Sequence, residues 1–268
     1  MARANRHYLP GYVWHITHRC HKQEFLFKFS RDKQRWIYWL FEAKKRYGLC
    51  ILNYVVTSNH IHLLVVDTKE DAIAKSIQLI AGRTAQEYNQ RKKRKGAFWE
   101  DRYHAVAVET DSHLVRCLVY IDLNMVRAGV VKHPADWPFG GYCEIQQPPQ
   151  RYRLIDQQAL MEKCSNIGDL EEFRKTYKEW VTECLNTRQT AREPSWSEAI
   201  AVGSERFIQL TREKLGHQAR GRRIIEDNEA FALREPHLHY NTDFDHQTGL
   251  LSCENGYYWN VYNEKTVG

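Results

Sequence analysis

The sequence lacks the features that mark several classes of protein. No window of its 268 residues approaches eighteen uninterrupted apolar residues, and the first residues contain no apolar run of a secretory signal. The seven cysteines are scattered and odd in number, with no C-x-x-C pair, which argues against a disulfide framework and a zinc knuckle. No internal repeat or low-complexity tract is evident. We therefore expect a soluble, cytoplasmic protein with reduced cysteines and no membrane partner.

The charge is distributed unevenly along the chain. Residues 1–150 contain 23 Lys and Arg against 14 Asp and Glu, a net charge of +9. Residues 151–268 contain 16 against 19, a net charge of −3. A basic half indicates a polyanionic partner, because neutralising phosphates releases counterions, although a solvated basic surface fits the charge alone equally well.

A pair of histidines begins an apolar stretch at residues 59–66. In a strand, side chains two apart point to the same face with about 6.6 Å between them, so His60 and His62 can converge on one ion. Residues 51–56 predict the preceding strand, with a short turn between. Taken alone, the pattern also fits two histidines that serve only sheet packing.

The segment 111–128 is typical of an amphipathic helix. One face carries apolar side chains at helical spacing, namely Leu114, Cys117, Leu118, Ile121 and Met125. The other face carries a phenol, an amide and two guanidiniums, namely Tyr120, Asn124, Arg116 and Arg127. This combination suits phosphoryl chemistry on a nucleic acid.

The remaining first-half elements complete a recognisable order. We predict a strand at 11–19, a helix from Ser30 to Gly48, a helix opened by Asp71, and a strand at 103–109. This order, βαββαβ followed by the tyrosine helix, predicts an α+β fold. The expected sheet is ferredoxin-like, with helices on one face and the first and third strands central. The histidine pair would then lie on the opposite, helix-free face. His15, on the neighbouring first strand, could approach the pair, although we expect a packing role for it.

A change of composition near residue 147 predicts two regions, 1–147 and 148–268. We expect the second to be a mostly helical extension, with helices at 169–187 and from Ser204 to Leu215. A basic segment at 217–223 is a candidate DNA contact, with a solvated loop as the equal alternative. The aromatic tail from Asp227 onward is expected to pack back onto the body.

These segments resemble the HUH-type single-tyrosine transposases, and most closely the repeat-associated tyrosine transposase branch of the IS200-like group. The resemblance spans about residues 5–145. It rests on Tyr8-Leu9-Pro10-Gly11, Thr17-His18-Arg19, Phe25-Leu26-Phe27, Asn59-His60-Ile61-His62-Leu63-Leu64, Phe98-Trp99 with Tyr103, and Tyr120-Ile121-Asp122-Leu123-Asn124-Met125-Val126-Arg127-Ala128-Gly129. The family usually has proline where Ser58 and Met125 stand here; Met125 should let the helix continue unkinked, and neither change removes a functional group.

The resemblance implies that His60 and His62 hold a divalent cation, Mg²⁺ or Mn²⁺, with Asn124 as a third ligand and Tyr120 as the nucleophile. Neutral imidazoles and an amide oxygen would leave coordination positions for water and a phosphate oxygen. The side chains expected to contact DNA are Arg116, Arg127, Arg91, Lys92, Lys93, Arg94 and Lys95.

The leading hypothesis is a metal-dependent DNA strand transferase that nicks single-stranded, hairpin-containing DNA through a 5′-phosphotyrosine intermediate. The alternative is a domesticated, catalytically inactive relative that only binds structured single-stranded nucleic acid. A third hypothesis, metal-dependent hydrolysis of a small phosphodiester, fits the histidines but not the basic half. Either a monomer or a homodimer is expected, with a weak preference for the monomer.

Overall fold

The first part of the chain forms a βαββαβ unit. The computed structural model describes residues 9–164, 169–187, 193–227 and 230–234. Its first elements are β1 Val13–Arg19, α1 Ser30–Tyr47, β2 Cys50–Val56, β3 His60–Val66, α2 Ala72–Lys92 and β4 His104–Val108. The four strands pair antiparallel in the order β2-β3-β1-β4, so β1 and β3 are central. The predicted ferredoxin-like arrangement is confirmed.

Local sequence signals explain the bounds of α1. Asp32 lies in its first turn and Lys44, Lys45 and Arg46 in its last, so charges of both signs complement the helix dipole. The helix ends at Gly48, whose φ of 69° is in the left-handed region that glycine adopts without a steric cost.

The two faces of the sheet are covered differently. His18 points to the side of α1 and α2, where it stacks on Trp99, and the Trp99 indole donates to the Ala81 carbonyl of α2. His15 and His62 point the other way. That side is not free of helices, because α3, Ser112–Asp122, lies over it and brings Tyr120 against both rings. The expectation of a helix-free face is therefore corrected: a face this apolar needs a cover to keep water out.

The tyrosine helix is interrupted, which corrects the prediction of a continuous helix. Leu123, with φ −76° and ψ 1°, separates α3 from α4, Asn124–Arg127. Just before the break, Asp122 accepts hydrogen bonds from Asn53 of β2 and from Tyr177. Just after it, the side-chain amide of Asn124 lies beside His62 of β3. The break thus lies between two polar anchors.

Beyond residue 140 the chain adds helices and three strands to the same sheet. These elements are α5 Tyr142–Gln146, α6 Gln157–Lys163, α7 Leu170–Asn186, α8 Ser195–Glu198, β5 Ala201–Gly203, α9 Glu205–Leu215, β6 Arg223–Asp227 and β7 Ala230–Arg234. β5 pairs parallel with β4, and β7 and β6 continue the sheet antiparallel. The helices predicted at 169–187 and 204–215 are present, whereas the strands were not predicted. The division at residue 147 stays a prediction, since the sheet runs across it.

The segment around Gly203 has a structural explanation. A Cβ at Gly203 would lie 2.6 Å from the Phe207 ring and 2.7 Å from the Glu109 side chain, so only glycine fits there. Ser204 caps α9 by accepting a hydrogen bond from Phe207 N at 3.2 Å. In the basic segment at 217–223, Arg223 is the first residue of β6 and pairs with Arg234 of β7. The tail predicted to pack back, apart from the end of β6 and β7, lies outside the described residues. No helix within the described ranges is long and apolar enough to cross a membrane.

Candidate active site

The histidine pair lies at the start of the central strand β3. His60 and His62 point to the same face, with ring centroids 4.9 Å apart and planes at 78° to each other. His62 is only 3% exposed, whereas His60 is half-buried. The pair therefore lies at the boundary between the core and the end of the sheet.

Hydrogen bonds orient both imidazoles through the same nitrogen. The Nδ1 atom of His60 lies 2.7 Å from Asn59 Oδ1, and that of His62 lies 2.8 Å from His15 Nε2. If each Nδ1 carries the proton, each Nε2 carries the lone pair that a metal ligand needs. The ring planes of His15 and His62 are nearly parallel, with centroids 5.0 Å apart.

The tyrosine helix places two more functional groups beside His62. The Asn124 side-chain amide lies 2.9 Å from His62 Nε2. The Tyr120 ring meets the His62 ring edge-on, with centroids 5.9 Å apart, and its exposure is 6%. His62 thus lies beside Tyr120 and Asn124, which follow it in the sequence by 58 and 62 positions.

Arg127 and Trp196 enclose Tyr120 from two sides. The Arg127 guanidinium carbon lies 4.0 Å from the Tyr120 ring centre, and its Nη2 donates to the Tyr120 carbonyl at 2.6 Å. The Trp196 ring, from the four-residue helix α8, lies 6.1 Å from the Tyr120 ring. Arg127 thus places a positive charge beside the buried ring of Tyr120.

Burial keeps the histidines at the centre of the site neutral. Burial, aided by the nearby His104, lowers the pKa of His15 to about 3. Burial also lowers the pKa of His62 well below its usual value, with His60 and His15 adding to the effect. Neutral imidazole is the form that binds a metal ion.

The residues present fit a divalent cation. Two imidazoles oriented through Nδ1 and an amide that can turn its oxygen toward His62 Nε2 make a partial ligand set. Within the described part of the chain, no group of three or more His, Cys, Asp or Glu could hold a metal, so this set depends on the amide of Asn124.

The arginines predicted to contact DNA already have partners within the protein, whereas the lysines are exposed to solvent. Arg91 is paired with Asp32, and Arg94 donates to the Ala97 carbonyl at 2.8 Å while lying 3.6 Å from Glu24. Lys92, Lys93 and Lys95 are exposed at the end of α2. In the tyrosine helix, Arg116 lies 3.1 Å from Glu193, and Arg127 is engaged with Tyr120. Their DNA contacts stay predictions.

Sequence reasoning gave His15 only as a residue that could approach the site, with packing preferred, and it did not identify Trp196. The antiparallel register could have identified His15, because Thr17 pairs with His62 and His15 therefore lies diagonally beside it on the same face. No sequence signal marks Trp196, since α8 is too short to show a periodic pattern.

Comparison with known proteins identifies the first part of the chain. Residues 10–124 match the family model described as "Transposase IS200 like". This part of the chain is therefore similar to an IS200-like transposase domain. The match agrees with the resemblance expected from the motifs, and the matched segment, which ends at Asn124, includes His60, His62 and Tyr120.

Two solved structures are similar to this chain beyond the family match. The structure of a REP-associated tyrosine transposase bound to a REP hairpin has 19% identity and a TM-score of 0.46; the match covers 58% of this chain and 94% of that one. A protein of Deinococcus radiodurans assigned as a transposase has 15% identity and a TM-score of 0.32, covering 48% and 97%. Comparison with curated proteins gives no match.

Proposed function

We propose that this protein is a transposase that nicks and rejoins single-stranded, hairpin-containing DNA, with Tyr120 as nucleophile and a divalent cation, Mg²⁺ or Mn²⁺, held by His60, His62 and Asn124. The observation that carries the proposal is the meeting of Tyr120, His62 and Asn124 on one side of the sheet. A phenol, an amide and oriented imidazoles are the groups that a tyrosine strand transfer requires.

The proposed reaction is an in-line displacement at phosphorus. The Tyr120 oxygen forms a bond to the DNA phosphorus and loses its proton, while the bond to the 3′ oxygen breaks and that oxygen gains a proton. The DNA 5′-phosphate stays esterified to Tyr120, so a 3′-hydroxyl can reverse the step without an external energy source. When bound, the cation would supply Lewis-acid polarisation of a non-bridging phosphate oxygen.

The protein's own residues prepare the nucleophile and the ligands. Arg127, over the Tyr120 ring, stabilises the developing phenolate. His15 and Asn59 hold the two imidazoles with Nε2 directed away from their Nδ1 partners. Trp196 and the sheet exclude water from the inner side of the tyrosine, which strengthens these electrostatic interactions.

A second candidate function is binding of structured single-stranded nucleic acid without cleavage. The observation that favours it is the burial of Tyr120, which at 6% exposure presents little of its ring to a substrate. Strand transfer requires the phenol oxygen to reach a phosphate, whereas a binding protein has no such need. Formation of a covalent adduct separates the two functions.

The test uses Tyr120→Phe, which removes one oxygen and keeps the ring. With a single-stranded hairpin DNA labelled 3′ of the cut, the wild type should give a denaturation-resistant labelled protein band with Mg²⁺ or Mn²⁺. Tyr120→Phe should bind the DNA but give neither cleavage nor the band. Tyr152→Phe, at a position that is 76% exposed, is the control and should behave as the wild type.

Two outcomes contradict the nucleophile assignment. Cleavage by Tyr120→Phe at the wild-type rate would make the tyrosine structural and indicate a water nucleophile. Absence of the adduct from wild-type protein on every hairpin tested, with binding retained, would favour the binding function. Cleavage that persists undiminished in excess chelator would exclude the role of the metal.

A further inference from the structure

The loop between β1 and α1 is fastened to the turn that precedes His60. Cys20 N donates to the Asn59 carbonyl at 2.7 Å, and Phe27 N donates to the Ser58 carbonyl at 2.9 Å. The Asn59 side chain donates to the Gln23 carbonyl at 3.2 Å. Three hydrogen bonds therefore hold this loop in place beside the first of the two histidines.

This fixed loop holds two phenylalanines in solvent. Phe25 is 67% exposed and Phe29 is 52% exposed, whereas Phe27 between them is fully buried against Phe98. Among the phenylalanines that the structure describes, these two are the ones classed as exposed. Burying a phenylalanine ring typically stabilises a folded protein by about 1.5–3 kcal/mol. A rigid loop that leaves two rings in water lacks this stabilisation.

Two ammonium groups lie near one of the exposed rings, that of Phe29. Lys92 Nζ lies 4.9 Å from the Phe29 ring centre and Lys28 Nζ lies 6.0 Å from it. The neighbouring acidic side chains are compensated, since Glu24 lies 3.6 Å from Arg94 and Asp32 is paired with Arg91. The surface around Phe29 is therefore positively charged, and Lys93 and Lys95, next to Lys92 in the sequence, are exposed.

We propose that Phe25, Lys28, Phe29 and Lys92 form a stacking surface for unpaired nucleotides of the DNA strand that enters the active site. Exposed rings offer faces on which bases stack without sequence preference, and flanking ammonium groups neutralise the phosphates. Lysines around the rings fit a polyanion better than an apolar protein partner. The proposal extends the proposed function, because it assigns the path of the strand beside His60.

The test measures binding of a fluorescent oligo-dT of about 20 nucleotides by anisotropy. Phe25→Ala/Phe29→Ala should weaken binding by about tenfold or more, because stacking of a single base on an aromatic ring typically contributes that much. Phe25→Tyr/Phe29→Tyr, which keeps two stacking rings, should restore it. Tyr152→Ala, which also removes a largely exposed ring, is the matched control and should bind as the wild type.

Two further measurements sharpen the test. Lys92→Gln should lower the slope of log affinity against log salt concentration by about 0.7, as expected for one lost phosphate contact on a single strand. Binding to a blunt duplex should be little affected by the double alanine variant, because paired bases cannot stack on the rings. Wild-type affinity of the double variant for oligo-dT, or equal losses on single strand and duplex, would overturn the proposal.

The outcome is independent of the cleavage chemistry. If the wild type never forms the tyrosine adduct but the double alanine variant loses oligo-dT binding, the stacking surface stands and the proposed reaction fails. If the adduct forms and oligo-dT binding does not change, the reaction stands and the stacking surface fails.

Discussion

Tyr120 is enclosed by two regions of the chain that contribute different kinds of group. The segment that matches the family model supplies polar groups, with His62 and Asn124 on one side of the ring. The extension after residue 147 supplies an apolar wall, Trp196, which is 1% exposed. The family match ends at residue 124, so the wall lies outside it. The reactive groups and their enclosure therefore come from separate parts of the sequence.

The extension also anchors the tyrosine helix by polar contacts. Glu193 accepts hydrogen bonds from Arg116 of α3 and from the Trp196 indole, both at 3.1 Å. Deeper in the core, the Tyr177 hydroxyl of α7 donates to Asp122 at 2.6 Å. Replacing a residue of the extension should therefore lower the free energy of unfolding first. Replacing a residue of the family-matched segment should impair the proposed strand-transfer chemistry first.

Replacing Trp196 should give the largest effect on stability. Trp196→Ala removes a buried ring, and such changes typically cost about 3–5 kcal/mol of the free energy of unfolding, measured by chemical denaturation. Adduct formation should fall as well, because Tyr120 loses its wall. Trp180→Ala, a half-buried tryptophan of the same extension, is the control and should leave adduct formation per folded molecule unchanged. Stability of Trp196→Ala equal to the wild type would contradict the enclosure described above.

The buried Asp122 should make stability depend on pH. Burial raises its pKa from 3.8 to about 7, despite hydrogen bonds from Tyr177 and Asn53. The other titratable groups that interact with it are neutral near pH 7: the phenols of Tyr54 and Tyr142 and the thiol of Cys143. Between about pH 4 and pH 7 the unfolded chain loses this proton while the folded chain keeps it.

The free energy of unfolding should therefore fall as pH rises through that range, by up to about 1.4 kcal/mol per pH unit. Asp122→Asn should flatten this part of the profile, measured by urea denaturation at pH 5 and pH 7.5. Asp136→Asn, at an exposed carboxylate, is the control and should keep the wild-type slope. Identical slopes in Asp122→Asn and the wild type would show that Asp122 ionises normally in the fold.

Replacing His15 should give a smaller effect, on metal affinity. His15 holds His62 through a 2.8 Å hydrogen bond, and loss of such a partner typically weakens metal binding by about 10- to 100-fold. His15→Ala should show this loss in Mn²⁺ calorimetry, and His15→Gln should recover part of it, because its amide oxygen can accept from His62. His18→Ala, on the same strand but the opposite face, should bind Mn²⁺ like the wild type. Unchanged affinity in His15→Ala would limit His15 to packing.

What could be predicted from the sequence was local in origin. The bounds of α1 follow from its periodic apolar positions and from Gly48, and they agree with the structure. The alternation of β3 correctly predicted that His60 and His62 share a face. Tyr120 and Asn124 both lie beside His62, although the helix between them is interrupted at Leu123.

What could not be predicted depends on contacts between distant segments. His15 reaches His62 only through the register of β1 against β3. The strands β5 to β7 have three to five residues each, too few for a periodic signal. The pairing of Arg91 with Asp32, 59 positions earlier, is likewise a contact between distant segments. Each of these features depends on which segments the fold brings together.

The parallel pairing of β5 with β4 has a consequence for any shortened form of the chain. Ala107 N donates to the Ile200 carbonyl at 2.7 Å, and Glu109 N donates to the Val202 carbonyl at 3.0 Å. A chain that stopped at residue 147 would leave these N–H groups without their partners, along a strand whose Val106, Ala107 and Val108 are buried in the full fold. Such an open, apolar edge pairs readily with strands of other molecules. A shortened form that avoids this additional self-association should therefore include β5 and β7, the strand next to β5 in the sheet.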